Sequence, residues 1–436
     1  MSDLKVYKFS SLYRMSSGIS STPDQAGKGS PFISFKTVFS DYFLPNELDD
    51  LMYTSEKEQE VYSVKEGDIF LTRTSESLNE LGMSCVAFKN YPKATYSGFL
   101  KRLRPIQKDL VYYKYIAFYL RSNLFRSSMN NNAIMTLRAS LNEQIFSYLD
   151  IVLPSFQNQK AIGDLLFDIY LKIQTNSKIN DNLERMAKTL YDYWFVQFDF
   201  PDENGKPYKS SGGKMIWNEV LKREIPEGWE ITVFNDWIEK TKTGDWGKDK
   251  IEGNYTEKVY CVRGADINGL NGKGEVKAPQ RYILKNNIPK VLKPDDFIVE
   301  ISGGSPTQST GRIALLTEST FERFDSNIIC SNFCKAISLK ENKFTFNFLQ
   351  EWQRLYDAGI FFGYEGKTSG IKNFLFESFM ESYFVIKPAK VLVDKFYNQM
   401  KNIEYKKQSN LKQNQQLSQL RDWLLPMLMN GQVKVE

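Results

Sequence analysis

Apolar residues spaced alternately three and four apart run through two long stretches of the chain. From Gln159 the first stretch gives Ile162, Leu166, Ile169, Ile173, Asn176, Asn180, Leu183, Ala187 and Leu190. From Val393 the second gives Phe396, Met400, Ile403, Lys407, Asn410, Asn414, Leu417, Arg421 and Leu424. Such spacing, kept over several heptads, predicts two long helices that pack along a seam. Elsewhere the pattern breaks into short β-like runs, such as Ile69-Phe70-Leu71 and Val86-Ala87-Phe88, with helical patches such as 111–125 between them. The pattern also repeats itself. Residues 137–190 recur without a gap at 371–424: Leu137-Arg138 answers to Ile371-Lys372, Leu141 to Leu375, Ile151-Val152 to Val385-Ile386, and Pro154 to Pro388. The opening Leu4-x-Val6-x-x-Phe9-x-x-Leu12 is matched by Trp229-x-Ile231-x-x-Phe234-x-x-Trp237. The chain is therefore a tandem duplication over nearly its whole length.

The predicted fold is α+β: two mixed α/β modules in tandem, separated by two long helices that form an antiparallel coiled coil. The parts fall at 1–153 (first module), 154–196 (central spacer helix), 197–224 (linker loop), 225–387 (second module) and 388–436 (C-terminal spacer helix and tail). The linker is assigned from Asn204-Gly205-Lys206-Pro207-Tyr208 and Ser210-Ser211-Gly212-Gly213, which cannot continue a helix. Pro426 is expected to stop the second helix. The aromatic group Tyr191, Tyr193, Trp194 and Phe195 is read as module core in preference to a docking surface.

The seam carries polar residues at the same places in both copies, Asn176 and Asn180 against Asn410 and Asn414. A buried asparagine costs stability but fixes register, because it must find a polar partner. The other reading is that this part of each helix is exposed and the asparagines are solvated. At about 1.5 Å per residue, 159–190 spans roughly 45–50 Å. Two such helices packed antiparallel would act as a ruler between the modules. On duplex DNA that separation is somewhat more than one helical turn, which suits two readers of unlike half-sites with an unread gap.

Composition narrows the chemistry. With 436 residues, 42% hydrophobic and 25% charged, the chain has enough apolar material for two domains with their own cores. The opening Met1-Ser2-Asp3-Leu4-Lys5 has no signal-peptide character and no apolar run reaches membrane-spanning length, so a cytoplasmic address and no membrane partner are expected. The formal charge of +5 is compatible with nucleic acid without demanding it. Histidine is absent, which removes the commonest general base and transition-metal ligand. The four cysteines are scattered, and Cys330 and Cys334 lack companions to complete a metal site, so free buried thiols are expected. There is no phosphate loop, no dinucleotide fingerprint, and no Asp/Asn-Pro-Pro-Tyr/Phe tetrapeptide of amino-methyltransferases. Pro294-Asp295-Asp296 with Glu300-Ile301-Ser302 approaches a metal-dependent nuclease pattern, but has Ser302 where that pattern has lysine. Its first-copy counterpart, Lys65-Glu66-Gly67-Asp68-Ile69-Phe70-Leu71, makes it a repeated turn into a strand.

The duplicated modules with their helices, together with the central Tyr191-Asp192-Tyr193-Trp194-Phe195-Val196-x-Phe198-Asp199-Phe200-Pro201, closely resemble the DNA specificity subunit of type I restriction-modification systems. Gly205-Lys206-Pro207-Tyr208-Lys209, Ile225-Pro226-x-Gly228-Trp229 and the ending Leu417-x-x-Leu420-Arg421-x-x-Leu424-Leu425-Pro426-x-Leu428-x-x-Gly431 look like the same family. The resemblance covers the whole chain and is weakest inside the modules. It implies that each module is a target recognition domain reading half of a bipartite site in double-stranded DNA. It also implies that the helices set the gap and dock two methyltransferase subunits, with restriction subunits joining the full complex. S-adenosylmethionine, ATP and magnesium would then belong to partner subunits, with no cofactor or metal on this chain, which would itself be non-catalytic. The alternative is a stand-alone bipartite DNA-binding protein without a methyltransferase partner. A complete restriction enzyme on one chain would need a catalytic motif.

A reader of DNA places basic and amide side chains on loops that reach phosphates and base edges. In the first module the candidates are Arg73, Thr74 and Ser75, then Asn131 and Arg138. In the second they are Ser305, Gln308 and Arg312, then Lys367 and Lys372. Arg138 and Lys372 hold one aligned position, which suits a shared phosphate contact or a solvated surface charge. The coiled-coil candidates are Ile162, Leu166, Ile169, Ile173, Asn176, Asn180 and Leu183, facing Phe396, Met400, Ile403, Asn410, Asn414 and Leu417.

Overall fold

The computed structural model describes residues 4–75, 80–132, 139–140, 143–305, 307–368 and 370–435. Two compact units emerge: Met1–Ile173 with Gln416–Glu436, and Gln174–Gln415. Each combines one module with parts of both long helices.

The two modules are built on one plan. The first has a four-stranded antiparallel sheet in the order Tyr13–Ser17, Leu100–Pro105, Ile69–Thr72, Ser84–Val86. The second has Ile238–Thr243, Cys334–Leu339, Phe297–Glu300, Ile313–Leu315 in the same order. Register agrees as well: Ile69 lies opposite Leu103, and Phe297 opposite Ile337. Beside each lies a three-stranded sheet containing one parallel pair, Ala26–Ile33 with Thr95–Tyr96 in the first module and Tyr255–Val262 with Asn327–Cys330 in the second. The first and last strands of each module pair antiparallel, with Val6 opposite Val152 and Ile231 opposite Ile386. That pairing returns the chain to the start of its long helix.

The strands Ile69–Thr72 and Phe297–Glu300 are buried at every residue, as suits interior strands covered on both faces. Each is entered through the same turn. Lys65 N donates to Asp68 Oδ2 and Lys293 N to Asp296 Oδ2, both at 2.8 Å. The preceding residues, Gly67 (φ 84°) and Asp295 (φ 70°), are both left-handed. The buried aspartates are paired: Asp68 takes a two-point contact from Arg104 (2.7 and 2.6 Å), while Asp296 is bonded by Lys242 (2.8 Å) and Ser338. The aspartates thus serve as turn caps. Among the described residues no cluster of three or more His, Cys, Asp or Glu is placed to hold a metal ion.

A helix covers each sheet, Tyr113–Tyr119 in the first module and Thr345–Asp357 in the second. The second core centres on Trp352, fully buried among Phe234, Phe348, Phe361, Phe374 and Phe379. All four cysteines are free and buried, and burial pushes each thiol above its usual range, that of Cys261 to about 12. No helix among the described residues is long and apolar enough to cross a membrane.

The long helices are Phe156–Tyr191 and Lys390–Met429. The first ends in a π-helical turn, Asp192–Val196, whose Trp194 and Phe195 enter the second core with Tyr191. Tyr193 departs from the expected core role and is 38% exposed. Two expectations are corrected. Pro426 does not end its helix, which runs one turn further to Met429. Proline removes one backbone donor there, but Leu425, Leu428 and Met429 bury themselves in the first core and hold the last turn in place. The polar linker is not all loop, since Met215–Asn218 and Arg223–Pro226 form a hairpin. Asn218 Oδ1 closes its turn by accepting from the Val220 and Leu221 amides, each at 3.0 Å. Strands of four residues are too short for their alternation to be seen against a glycine-rich background.

Candidate nucleic-acid interface

In both modules the chain leaves the buried interior strand and enters the segment that carries the candidate readers. Framework and tip divide sharply there. In the first module Thr72 is fully buried; its amide donates to Met83 O (2.9 Å), and its Oγ1 accepts from Met83 N (2.9 Å) and donates to Glu80 O (3.0 Å). The matching strand end in the second module is Glu300, 5% exposed, whose amide donates to Arg312 O at 2.9 Å. Gly82 and Gly311, both left-handed, donate to Thr72 O and Glu300 O and so close the two loops identically.

Arg73 begins the first tip and is exposed, with its amide held by Phe99 O at 2.9 Å. The backbones of Thr74 and Ser75 pair with Ser140 and Ala139. That pairing brings the Arg73-Thr74-Ser75 segment to the strand that follows Arg138, and Arg138 itself lies outside the described residues. Asn131 belongs to the helix Asn123–Asn132. Arg73 also sits near enough to Lys101 to disfavour its charge. Burial first, and then the Arg73 guanidinium, lower the Lys101 pKa.

In the second module the Ser302–Gly303 strand pairs with Ile371–Phe374, placing Gly303 opposite Lys372, and Lys367 pairs across the next strand with Lys372. Sequence alignment thus joined segments that the fold makes neighbours. Gln308 is exposed, and its amide is held by Ser305 Oγ at 3.1 Å. Arg312, a candidate reader, turns inward: its Nε and Nη2 donate to Glu300 Oε2 and Oε1 at 2.8 and 2.6 Å, and its side chain is 16% exposed. The Glu300 carboxylate raises the Arg312 pKa. Lys372 is similarly engaged, its Nζ 3.1 Å from the buried Glu365 carboxylate and 3.3 Å from Gln308 O. Glu365 also accepts from Thr310 N at 2.8 Å. Trp352 Nε1 and Tyr356 OH bond Gly311 O and Ser309 O from below. Arg312, Glu300, Glu365 and Lys372 therefore support the loop 302–311, and Gln308 stands at its surface. Glu300, which the sequence offered only as part of a nuclease-like pattern, instead pairs with Arg312, and Glu365 carried no sequence signal of its pairing with Lys372.

The helix seam is polar where the asparagines predicted it. Within 174–415, Asn176 Nδ2 donates to Gln413 Oε1 (2.8 Å) and Asn414 Oδ1 (2.9 Å), and Asn414 Nδ2 to Ser177 Oγ (3.3 Å). Asn410 Nδ2 donates to Asn180 Oδ1 at 2.8 Å, and Asn180 Nδ2 to Lys407 O at 3.2 Å. Asn176, Asn180 and Asn410 are buried. These pairs make the helices antiparallel. On either side of them the seam is apolar. Phe396 and Met400 are buried with Ala187, Ile403 is partly buried, and Leu183 is half-buried. In the first unit Ile162, Leu166 and Ile169 are buried, while Ile173 and Leu417 are half-buried. A second buried face of the C-terminal helix escaped the heptad count: Glu404, Gln408 and Leu411. Gln408 Oε1 accepts from Arg323 at 3.0 Å, and burial lowers the Arg323 pKa to about 10. The pair of polar residues four apart was its only signal.

The comparisons agree with this architecture. Residues 18–185 match the family described as type I restriction modification DNA specificity domain. The chain is 23% identical over 363 residues to the type I restriction enzyme MjaIX specificity subunit of Methanocaldococcus jannaschii, covering 80% of this chain and 75% of that protein. It is 23% identical over 337 residues to the HindI specificity subunit of Haemophilus influenzae, covering 66% and 70%. The solved S subunit of a type I restriction-modification system from M. genitalium shares its fold at a TM-score of 0.56 and 13% identity, over 98% of this chain and 96% of that one.

Proposed function

We infer, from its place in the family of type I restriction-modification DNA specificity subunits, to which the chain belongs, that it supplies sequence recognition to such a complex. Each module reads one half of an asymmetric bipartite site, and the helices set the gap and carry two methyltransferase subunits. One observation carries this reading: the two modules share their sheets, registers and loop closures, yet differ in the side chains at the loop tips. Thr72 and Glu300 do one structural job with different chemistry, and the tips beyond them carry Arg73-Thr74-Ser75 in one module and a glycine-rich polar loop with Gln308 in the other. A scaffold kept constant under varied tips is what two different sequence readers require.

On this reading the exposed Arg73 and Gln308 are the strongest candidates for DNA contact, because each stands on a backbone fixed by hydrogen bonds. Adenine methylation with S-adenosylmethionine, and ATP-driven cleavage where restriction subunits join, belong to partner chains. The test is reconstitution with the methyltransferase subunits, followed by mapping methylated adenines on genomic DNA. A split motif should appear only when this chain is present. Replacing residues 230–387 with another member's module should change one half of the motif and leave the other. Methylation by this chain alone, or a change in both halves, would refute the assignment.

A further inference from the structure

We propose that Phe99 and Phe333 are a matched pair of apolar DNA contacts, one per module, each laid against the bases of its own half-site. This rests on the function inferred above and adds residues outside the polar set.

Both lie in a shared pattern, Ser-x-Phe-x-Lys, at Ser97-Gly98-Phe99-Leu100-Lys101 and Ser331-Asn332-Phe333-Cys334-Lys335. The structure superposes the two through strand register, since Leu71 lies opposite Lys101 and Val299 opposite Lys335. Each pattern forms the same turn. Leu100 N donates to Ser97 O and Cys334 N to Ser331 O, both at 2.9 Å, while the serine amides donate to Ile33 O (3.0 Å) and Val262 O (2.8 Å). A glycine backs each turn so closely that a Cβ would lie 2.2 Å from Ser97 O at Gly18 and 2.0 Å from Ser331 O at Gly244. The turn is thus rigid and was built twice.

Its shared serine and lysine have work inside the module. The serine backbone is bonded as above, Lys101 Nζ bonds Ser17 Oγ at 2.8 Å, and Lys335 pairs with Glu377. The phenylalanine has none: Phe99 is 68% exposed and Phe333 55%. Its neighbours have drifted, Gly98 against Asn332 and Leu100 against Cys334, yet the solvent-facing ring remains in both copies. A single exposed ring is ordinary on a protein surface, but the same ring held out by the same rigid turn in both modules marks a shared contact. The turn's position indicates what does. The carbonyl of Phe99 accepts from Arg73 N, and that of Phe333 accepts from Ile301 N (2.9 Å) and Ser302 N (3.2 Å). Each ring therefore stands at the root of its module's reading segment, where bound DNA would pass. Apolar side chains in a groove contact thymine methyls or wedge between base steps.

The experiment uses the complete methyltransferase complex and a duplex carrying its mapped site, with Phe99→Ala and Phe333→Ala made separately. Each variant should bind that duplex about 10- to 100-fold more weakly. The slope of affinity against salt should be unchanged, because no phosphate contact is lost. Each penalty should vanish on duplexes in which one half-site is scrambled, a different half for each variant. Normal assembly with methyltransferase subunits and unchanged melting should accompany the loss. If the wild-type complex discriminates its site but both variants bind equally well, or if they lose methyltransferase assembly instead, the phenylalanine proposal falls and the function stands. If the wild-type complex shows no preference for its site, the function itself falls.

Discussion

Replacing Asn410 with leucine removes the Nδ2 donor that satisfies the buried Asn180 Oδ1 at 2.8 Å. The remaining oxygen lies between two helices, with Asn180 6% exposed, so water cannot take the place of the lost partner without opening the seam. An orphaned buried polar group costs about 1–3 kcal/mol. Asn180→Leu orphans the Asn410 amide and should cost a similar amount, since Lys407 O keeps its acceptor role within its own helix. The double variant leaves neither partner stranded and adds apolar contact, so it should be close to neutral, less destabilised than either single change. The cycle should therefore show a coupling energy of about 1–3 kcal/mol, far outside additivity. Urea unfolding followed by tryptophan fluorescence measures it well, because six of the seven tryptophans lie in 174–415 and only Trp423 lies in the other unit. Additive costs in the double variant would show that the two asparagines do not depend on one another and would refute the register argument.

Other substitutions probe the modules and the spacer. Trp352→Ala removes the centre of the second core and the donor to Gly311 O, and should destabilise the 174–415 unit by about 3–5 kcal/mol in the same urea assay. Gly18→Ala and Gly244→Ala each push a Cβ into a serine carbonyl, and should cost about 1–3 kcal/mol in thermal or urea unfolding. Inserting seven residues at matched positions of both long helices adds about 10 Å of helix, or about three base pairs of DNA. Methylation mapping should then show an unread gap lengthened by about that much, and an unchanged gap would count against the spacer role.

The sequence was most legible where one physical constraint acts along many residues. The two helices, of 36 and 40 residues, carry regularly spaced apolar positions in each unit, so Ile162 and Leu166, or Phe396 and Met400, announce themselves by spacing. The duplication was legible for a related reason: turn caps such as Asp68 and Asp296 and strand-end pairs such as Val6 with Val152 are fixed by backbone geometry, and their residue types persist. What escaped were features decided by single local bonds. The turn of the 215–226 hairpin is closed by one asparagine side chain, and the last turn beyond Pro426 is held by core packing that no local pattern encodes. Arg312 was ambiguous for the same reason. A guanidinium in a polar loop reads as a DNA contact until a buried glutamate twelve residues earlier takes its Nε and Nη2 edge.

That ambiguity separates two kinds of charge at the reading loops. Arg312 and Lys372 are basic and sit in the right segments, but each is spent on a buried carboxylate, Glu300 and Glu365. Paired this way, a cation adds little to the field that DNA would meet, and its removal would leave the glutamate uncompensated and let the loop move. Arg73 has the opposite standing, being exposed and close enough to disfavour the charge on Lys101. Among the described side chains, the first module therefore presents an exposed positive charge at its tip, while in the second Arg312 and Lys372 are turned beneath a braced loop of amides and hydroxyls. Binding by the first half-site should depend more steeply on salt than binding by the second, because counterion release follows exposed phosphate-contacting charge and is insensitive to charge already neutralised within the protein.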